Sequence, residues 1–482
     1  MAFRSFAIRT FGCQMNVHDS DKLANLLLHA GYAAAEPDDA DVLVVNTCSI
    51  REKAEHKLYS DLGLLRRWKA AREGRLIGVG GCVAQQEGDA LLARFPQLDF
   101  VFGTHNLRHV PAMVRAAEAG QRSADVSTSR SLDRFDLPER HPQFEASTPG
   151  RAFLTVMEGC DMFCTFCIVP TTRGREVSRP ADAIVCEAED LAARGVVELV
   201  LLGQTVNAYG RHDVRRGHAS SNGTMRFSAL LARLAAIPGI ERIRYTSPHP
   251  LFFDEALVAA HGDLAPLCPH VHLPVQSGSD AVLARMRRRY TGDDVRRLAE
   301  SLRRARPGLV LTTDLIVGFP GETDAEFEAT LRLVRDAGFV DAFSFKYSPR
   351  PGTPAAGLPD AVAEEVAQAR LEALQAQVRA QTLAYHRSRV GGEADVLIEG
   401  RSRRAQQLAG RDPWHRVVNV AAEHFPDVAP GQIVRVRIAE ATPHSLIGEP
   451  DASAGAHPGS RNLPVASVPE SGFASGAVAI RR

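Results

Sequence analysis

One short loop of the chain reads Gly159-Cys160-Asp161-Met162-Phe163-Cys164-Thr165-Phe166-Cys167. Its cysteines have the spacing C-x-x-x-C-x-x-C, and they follow an apolar run at 152–156 that predicts a β-strand. Thiolates this close in sequence can converge on one small volume, and as soft ligands they select zinc or an iron–sulfur cluster. Zinc normally takes a fourth ligand, which this loop lacks. A cubane cluster with three protein ligands leaves one iron open, so the loop indicates chemistry rather than a structural clip.

The bulk composition is that of a globular protein with several domains. A chain of 482 residues is long enough for roughly two to four domains, and 45% of its residues are hydrophobic and 24% charged. Lys+Arg and Asp+Glu both number 57, so a nucleic-acid surface would have to be a local patch. No apolar run could span a bilayer, and the first residues lack the apolar segment of a signal peptide. We therefore expect a cytoplasmic protein without a membrane partner, whose cysteines are reduced.

The N-terminal part contains a repeated arrangement of strand, cysteine and helix. Residues 4–120 alternate short apolar strands with helical segments, which predicts a domain with an open parallel α/β sheet. Cys13, Cys48 and Cys82 each follow a predicted strand, and the carboxyl ends of parallel strands share one edge of a sheet. Buried cysteines often act only as small apolar residues, and that alternative stays open. The equivalent positions of these three favour a second metal site.

The middle of the chain predicts a barrel. Residues 121–145 are polar, contain proline and lack periodicity, so we interpret them as a linker. Between 146 and 376 six βα units predict a partial TIM-type (βα)6 barrel, whose site lies at the carboxyl ends of the strands. The segment 210–223 is rich in His, Arg, Ser and Gly and is expected to be a disordered excursion. The predicted strands are 153–157, 197–202, 240–246, 270–275, 310–317 and 343–347.

The C-terminal part predicts a small β-barrel. A long helix over 361–390 carries an apolar stripe that is typical of packing. The C-terminal domain, 377–449, includes a β-rich module with strands predicted at 394–399, 416–420 and 432–439, which resembles an OB-like barrel. Residues 450–482 are dominated by Ala, Ser, Gly and Pro and predict a disordered tail.

The cysteine loop at the end of the first barrel strand resembles the radical S-adenosylmethionine superfamily. The resemblance implies that Cys160, Cys164 and Cys167 hold a [4Fe–4S] cluster whose open iron binds S-adenosyl-L-methionine. It also implies that an electron from the cluster cleaves the sulfonium to give a 5′-deoxyadenosyl radical. The protein would position and shield this cofactor, and Phe163 and Phe166 are suited either to excluding water or to plain packing.

The order of the three parts, over about residues 4–449, resembles the methylthiotransferase family of that superfamily. This resemblance implies that Cys13, Cys48 and Cys82 hold a second [4Fe–4S] cluster, which carries the sulfur. It implies that the β-module is a TRAM RNA-binding domain, and that an electron donor and a sulfur donor are partners.

Six motifs are most similar to the branch of this family that modifies tRNA in the anticodon loop. They imply transfer of a methylthio group to C2 of N6-(dimethylallyl)adenosine at position 37. The alternatives are a branch acting on threonylcarbamoyladenosine, a branch acting on a ribosomal-protein aspartate, and a non-catalytic iron–sulfur RNA-binding protein. The motifs lie at 10–16, 46–51, 167–176, 202–209, 272–279 and 343–354.

Residues after two barrel strands are candidates for binding S-adenosyl-L-methionine. Gly203 and Gln204 end the second strand, and Gly318, Gly321 and Glu322 follow the fifth. These positions lie at the end of a barrel where sites are built, although Gly-Phe-Pro-Gly is also a plain tight turn.

Basic residues are the candidates for binding RNA. The run 285–289 could meet phosphates, although most charge runs are solvated faces. A better patch lies in the β-module, because OB-like surfaces pair basic strands with nucleic acid. Two further cysteines, Cys186 in a helix and Cys268, are expected to be inert. The patch consists of Arg401, Arg403, Arg404, Arg435 and Arg437, together with Arg411.

Overall fold

The computed structural model describes residues 4–49, 52–129, 131–144, 148–219, 221–402 and 406–451. Its strands are β1 (Ser5–Phe11), β2 (Ala33–Ala34), β3 (Val42–Thr47), β4 (Leu76–Gly81), β5 (Phe100–Phe102), β6 (Ser123–Asp125), β7 (Arg151–Thr155), β8 (Met157–Glu158), β9 (Val177–Ser178), β10 (Glu198–Leu202), β11 (Arg242–Tyr245), β12 (His270–His272), β13 (Val310–Val317), β14 (Phe339–Lys346), β15 (Glu393–Arg401), β16 (Gln407–Arg411), β17 (Val417–Ala421), β18 (Ile433–Ala441) and β19 (Leu446–Pro450). Its α-helices are α1 (Gln14–His29), α2 (Glu52–Ala70), α3 (Cys82–Glu87), α4 (Asp89–Arg94), α5 (Val110–Glu118), α6 (Val169–Thr172), α7 (Ala181–Ala193), α8 (Arg211–Arg216), α9 (Phe227–Ala235), α10 (Glu255–Asp263), α11 (Asp280–Arg285), α12 (Gly292–Ala305), α13 (Asp324–Asp336) and α14 (Glu364–Ser388).

The N-terminal sheet has six strands in the order β2-β1-β3-β4-β5-β6, and all of its pairings are parallel. The register sets Phe11 beside Thr47 and Thr47 beside Gly81, so β1, β3 and β4 end at one level. This confirms the open parallel α/β sheet. The sequence pattern missed β2, β5 and β6, which are too short to show a periodicity. β6 lies within the stretch that we interpreted as a linker.

The central part has six more parallel strands, in two sheets ordered β11-β10-β7 and β12-β13-β14. A bridge from Ile243 to Leu267 joins β11 to the segment before β12. One apolar core on the outer face of the strands includes side chains of α7, α9, α12, α13 and α14. Among the described residues β14 pairs only with β13, so the barrel is open at this edge. This confirms a partial (βα)6 barrel.

The segment 210–223 is not a disordered excursion where the structure describes it. It contains α8, and the Asp213 carboxylate accepts hydrogen bonds from Asn222 Nδ2 and Thr224 Oγ1, both at 2.8 Å. Polar composition alone predicted disorder wrongly, because hydrogen bonds to one carboxylate close the loop on itself.

The C-terminal module is a closed barrel in the order β15-β16-β17-β19-β18, which confirms the OB-like prediction. The sequence pattern missed β16 and β19, and β19 includes Pro450 at the start of the expected tail. The rest of that tail, 452–482, lies outside the described residues. Helix α14 contacts both β14 and β18, and the proposed boundary between residues 376 and 377 falls within it.

The C-terminal module covers the amino end of the central barrel through the loop 412–416, here called the floor loop. Arginines of β11 donate hydrogen bonds to backbone carbonyls of this loop and of the residues beside it. The ring of His415 stacks on that of His270, with centroids 5.4 Å apart, and Arg416 Nη1 lies 2.9 Å from Asp341 Oδ2. The cysteine loop lies at the opposite, carboxyl end of the barrel. No helix of the described ranges is long and apolar enough to cross a membrane.

Candidate active site

The structure brings Cys13, Cys48 and Cys82, here called the upstream triad, into contact. The thiol of Cys48 shares hydrogen bonds with those of Cys13 and Cys82. Gly12 makes this approach possible, because a Cβ at Gly12 would lie 2.3 Å from Cys48 Cβ. Its φ of +141° is also a conformation that side chains rarely adopt. The sequence-based expectation that these thiols are neighbours is met.

The electrostatics of the upstream triad favour thiolates on two of its members. The hydrogen bond from Cys48 lowers the pKa of Cys13 and of Cys82, against the effect of burial, and the charge of Arg173 lowers both further. The same hydrogen bonds, together with burial, raise the pKa of Cys48. Thiolates are the form that binds metal, so the triad has the chemistry of a ligand set.

Two asparagines hold the upstream triad in place, and sequence reasoning missed both. Asn16 Oδ1 accepts a hydrogen bond from Cys13 Sγ at 3.3 Å, and Asn46 Nδ2 donates to the Asn16 carbonyl at 2.9 Å. Asn46 Nδ2 also donates to Ser20 Oγ at 2.9 Å. Their signal in the sequence was position alone, since each lies within three residues of a cysteine.

Cys160, Cys164 and Cys167, here called the loop triad, lie where β7 and β8 lead into the cysteine loop. Cys160 Sγ lies 3.0 Å from Thr205 Oγ1, and Arg288 Nη1 donates to Cys164 Sγ at 3.6 Å. Burial raises the pKa of Cys160, and burial followed by the charge of Cys164 raises that of Cys167 to about 12. Burial thus favours the protonated form of Cys160 and Cys167 until a metal replaces their protons.

The chemistry of the two sets fits iron–sulfur clusters held by three thiolates each. Within the described ranges no group of three or more His, Cys, Asp or Glu side chains is placed to hold a single metal ion. That finding concerns single-ion sites such as zinc, because each thiolate of a cubane binds a different iron. Buried and partly buried thiols suit a soft cluster better than a hard cation.

The two triads lie at the same end of the barrel. Cys13 and Met15 at the start of α1 pack against Phe153, Val200 and Leu202, on the inner face of β7 and β10. Leu202 is the last residue of β10, and the next residues reach the cysteine loop. The N-terminal domain therefore caps the carboxyl end of the barrel, where radical chemistry needs water excluded.

Arg173 connects the N-terminal domain to the barrel. The sequence analysis included it only within the motif 167–176 and gave it no role of its own. It follows α6, and its Nη2 lies 2.5 Å from Asp19 Oδ2 on α1, with the two side chains only 3% and 4% exposed. Thr104 and His105 of the N-terminal domain hydrogen-bond to the carbonyls of Thr172 and Arg173, at 2.5 and 2.9 Å. This buried ion pair fixes the N-terminal domain over the barrel.

The predicted cofactor residues fall into two groups. Gln204 Oε1 accepts a hydrogen bond from Gly159 N at 2.6 Å, and its buried Nε2 has no hydrogen-bond partner among the described residues. Gly203 permits close packing, since a Cβ there would lie 2.6 Å from Met157 Cγ. Both residues thus border the cysteine loop, and the free amide of Gln204 is a donor available to a bound molecule.

The other group lies around the turn after β13. Glu322 accepts hydrogen bonds from Gly318 N at 2.7 Å and from Arg370 Nη1 at 3.0 Å, and its side chain is fully buried. Gly321 lies beside Arg285. These contacts serve the turn and its attachment to α14, while Phe319 inside the turn packs in one cluster with Phe166 of the cysteine loop.

Several arginines of the proposed RNA-binding patch form ion pairs within the protein, which the sequence did not indicate. Arg435 pairs with Glu393 and lies 3.6 Å from Asp395, and Arg437 lies 3.9 Å from Asp451. Arg401 is exposed, Arg411 pairs with Glu399 at 3.1 Å, and Arg403 and Arg404 lie outside the described residues.

The arginine run 285–289 divides into buried and exposed members. Arg285 pairs with Glu326 at 3.1 Å and Arg288 is buried. Arg287 and Arg289 are exposed and line a cleft with Phe163 of the cysteine loop. Of the remaining cysteines, Cys186 is exposed rather than packed and Cys268 is buried.

Comparison with known proteins gives the same division of the chain. Residues 5–103 match "Uncharacterized protein family UPF0004", residues 154–334 the "Radical SAM superfamily" and residues 387–450 the "TRAM domain". Two solved structures of the radical S-adenosylmethionine methyltransferase TsrM from Kitasatospora setae match with TM-scores of 0.51 at 17% identity, over 73% of this chain and 74% and 75% of theirs. At that identity they show the fold alone.

Two curated relatives carry the same description, "tRNA-2-methylthio-N(6)-dimethylallyladenosine synthase". The protein of Geobacter metallireducens is 48% identical over 443 residues, and that of Thiobacillus denitrificans is 48% identical over 447 residues. Each alignment covers 92% of this chain and 97% of the relative. The chain belongs to the family of the tRNA-2-methylthio-N(6)-dimethylallyladenosine synthases.

Proposed function

We propose that the protein transfers a methylthio group to C2 of N6-(dimethylallyl)adenosine at position 37 of tRNA. The observation that carries this proposal is the pair of three-cysteine sets at one end of a single barrel, in a chain that is 48% identical to curated synthases over 92% of its length. The reaction needs one site that makes a radical and another that holds sulfur, and each triad supplies one of them.

In this proposal Cys160, Cys164 and Cys167 hold one [4Fe–4S] cluster and Cys13, Cys48 and Cys82 hold the second. With S-adenosyl-L-methionine bound, the first cluster would supply the radical chemistry that removes hydrogen from C2. Arg288 and Thr205 stabilise charge on the thiolates of the loop triad through the contacts given above.

The other residues of the chain position and enclose the reactants. Gln204 and Gly203 would border a bound S-adenosyl-L-methionine, and the turn that contains Gly318, Gly321 and Glu322 would form the other side of that site. The N-terminal domain, which is held by Arg173, keeps water out of the carboxyl end of the barrel.

We propose that the tRNA is held at two surfaces. The TRAM domain, 377–449 with its outward-facing Arg401, Arg435 and Arg437, contacts the RNA body, and Arg287 and Arg289 beside the cysteine loop contact phosphates of the anticodon loop. The reaction also needs an external reductant and an external sulfur donor, because each turnover consumes electrons and one sulfur atom. A protein that acts on tRNA in this way works in the cytoplasm.

The decisive experiment is mass spectrometry of tRNA nucleosides from a strain that lacks this gene. We expect 2-methylthio-N6-(dimethylallyl)adenosine to be absent and its unthiolated precursor to accumulate, and the gene to restore the product. The Cys164→Ala variant should not restore it, whereas Cys186→Ala, which changes an exposed cysteine far from both triads, should. Loss of methylthio from threonylcarbamoyladenosine, or from a ribosomal protein, would overturn the proposal in favour of another branch.

A further inference from the structure

Two phenylalanines on the last barrel strand face solvent. The side chains of Phe343 and Phe345 on β14 are 59% and 40% exposed, although aromatic side chains normally lie inside. On the same strand Phe339 and Ala342 pack into the core between strands and helices. The pairing register with β13 shifts by one residue between Phe339 and Asp341. After this β-bulge Asp341, Phe343 and Phe345 alternate with Ala342, so the two exposed rings point into the open barrel.

The inner face around these rings is ordered. His272 of β12 meets Phe343 edge to face, with ring centroids 5.9 Å apart and an angle of 68°. The same imidazole lies 3.2 Å from Asp314 Oδ1 and 2.9 Å from Thr312 Oγ1. The strand register sets Phe343 next to Asp314. Side chains of three neighbouring strands hold one another in place here, so the inner face around the two rings is well ordered.

The surface lies between the floor loop and the cysteine loop. Below it, Asp341 is paired with Arg416 of the floor loop. Above it, the chain that leaves β14 returns to the cysteine loop, where Ala355 N donates to the Thr165 carbonyl at 2.9 Å. Tyr347, directly after β14, packs in one cluster with Phe166. Phe343 and Phe345 therefore lie on the inner face of the barrel between the floor loop and the cysteine loop.

The charges around the rings decide which part of an RNA fits. Asp314 and Asp341 are partly exposed carboxylates on this face, with side chains 29% and 45% exposed. Carboxylates repel phosphates and accept hydrogen bonds from the N–H groups of a base. Aromatic rings bind the flat face of a base and any apolar group attached to it. The occupant that fits both features is a nucleobase rather than the RNA backbone.

We infer that Phe343 and Phe345 form the stacking platform for the adenine that is modified, and that they select its apolar N6 substituent. The inference rests on the proposed function and adds to it the residues that recognise the substrate. His272 is a positioning residue, because it holds Phe343 through an edge-to-face contact while its own nitrogens are bound to Asp314 and Thr312.

The test measures binding and turnover of two anticodon stem–loop RNAs that differ only in the dimethylallyl group at position 37. Loss of a stacking ring weakens binding of a base by about 5- to 150-fold. We therefore expect Phe343→Ala and Phe345→Ala each to raise KM for the prenylated RNA by a factor in that range and to reduce its preference over the unmodified RNA. Phe343→Tyr should keep both. Leu64→Ala, which truncates a side chain that is 63% exposed on α2, is the matched control.

The outcomes separate this inference from the proposed function. S-adenosyl-L-methionine cleavage without RNA should be unchanged in both alanine variants, which shows that they fold and load normally. If the wild type forms the product and the alanine variants keep its KM and its preference, the stacking platform is refuted. If the wild type forms no 2-methylthio product from either RNA, the proposed function fails first.

Discussion

Replacing Arg173 by glutamine should loosen the N-terminal domain from the barrel. Its ion pair with Asp19 is 2.5 Å long, and both side chains are almost completely buried. Removing one partner of such a pair leaves the other charge in a dry environment, which costs about 3–5 kcal/mol. An exposed pair is worth about 0–1 kcal/mol. Arg194→Gln, which breaks an exposed pair with Asp190 on α7, is therefore the matched control.

Urea unfolding followed by tryptophan fluorescence measures this cost. The chain has two tryptophans, Trp68 on α2 and Trp414 in the floor loop, so a Trp414→Phe background reports only on the first domain. In that background Arg173→Gln should lower the free energy of unfolding by about 3–5 kcal/mol. Adding Asp19→Asn should cost less than the sum of the two single changes, because it removes the stranded carboxylate.

A loss below about 1 kcal/mol, equal to that of Arg194→Gln, would refute the reasoning. It would mean that water reaches the pair or that the domain does not depend on it. An additive double variant would refute the pairing itself, since independent sites add.

Three further predictions concern the upstream triad, the buried carboxyl group of Glu176 and the binding of RNA. Gly12→Ala should reduce reconstituted iron from about eight to about four atoms per chain, because the added methyl group collides with Cys48. An unchanged iron content would show that this collision does not disturb the upstream triad. Burial raises the pKa of Glu176 from 4.5 to about 8, so the folded protein holds a proton there that the unfolded chain releases. The free energy of unfolding should therefore fall as pH rises from about 4.5 to about 8. Glu176→Gln should make the free energy of unfolding less dependent on pH in this range, as measured by denaturation at several pH values. If the variant shows the same pH dependence as the wild type, Glu176 is not the source of it. Arg287→Ala and Arg289→Ala should each weaken tRNA binding and lower the slope of log K against log salt by about 1; if the slope stays the same, neither side chain meets a phosphate.

The cysteine sets could be predicted from the sequence because local patterns determine them. Cys13, Cys48 and Cys82 each follow an apolar strand, and parallel strands bring such positions to one edge whatever lies between them. The spacing of the loop triad is likewise a property of a few consecutive residues. Both results therefore required no knowledge of how the domains pack.

The residues that sequence reasoning missed depend on contacts between distant segments. Arg173 and Asp19 lie in different domains, and Arg288 reaches Cys164 across 124 positions. The exposure of Phe343 was equally hidden, since an apolar strand is expected to be covered. It is uncovered only because β14 has a partner on one side among the described strands.

The floor loop makes the RNA-binding module a structural part of the catalytic barrel. A shortened chain that ends before β15 would remove the carbonyl acceptors of the β11 arginines, and Asp341 on β14 would lose Arg416. The module therefore cannot behave as an independent tether that only raises the local concentration of tRNA. Arg416 of the floor loop pairs with Asp341 of β14, two residues before Phe343. The position of the RNA-binding module and the position of the strand that carries the stacking rings are therefore connected through this ion pair.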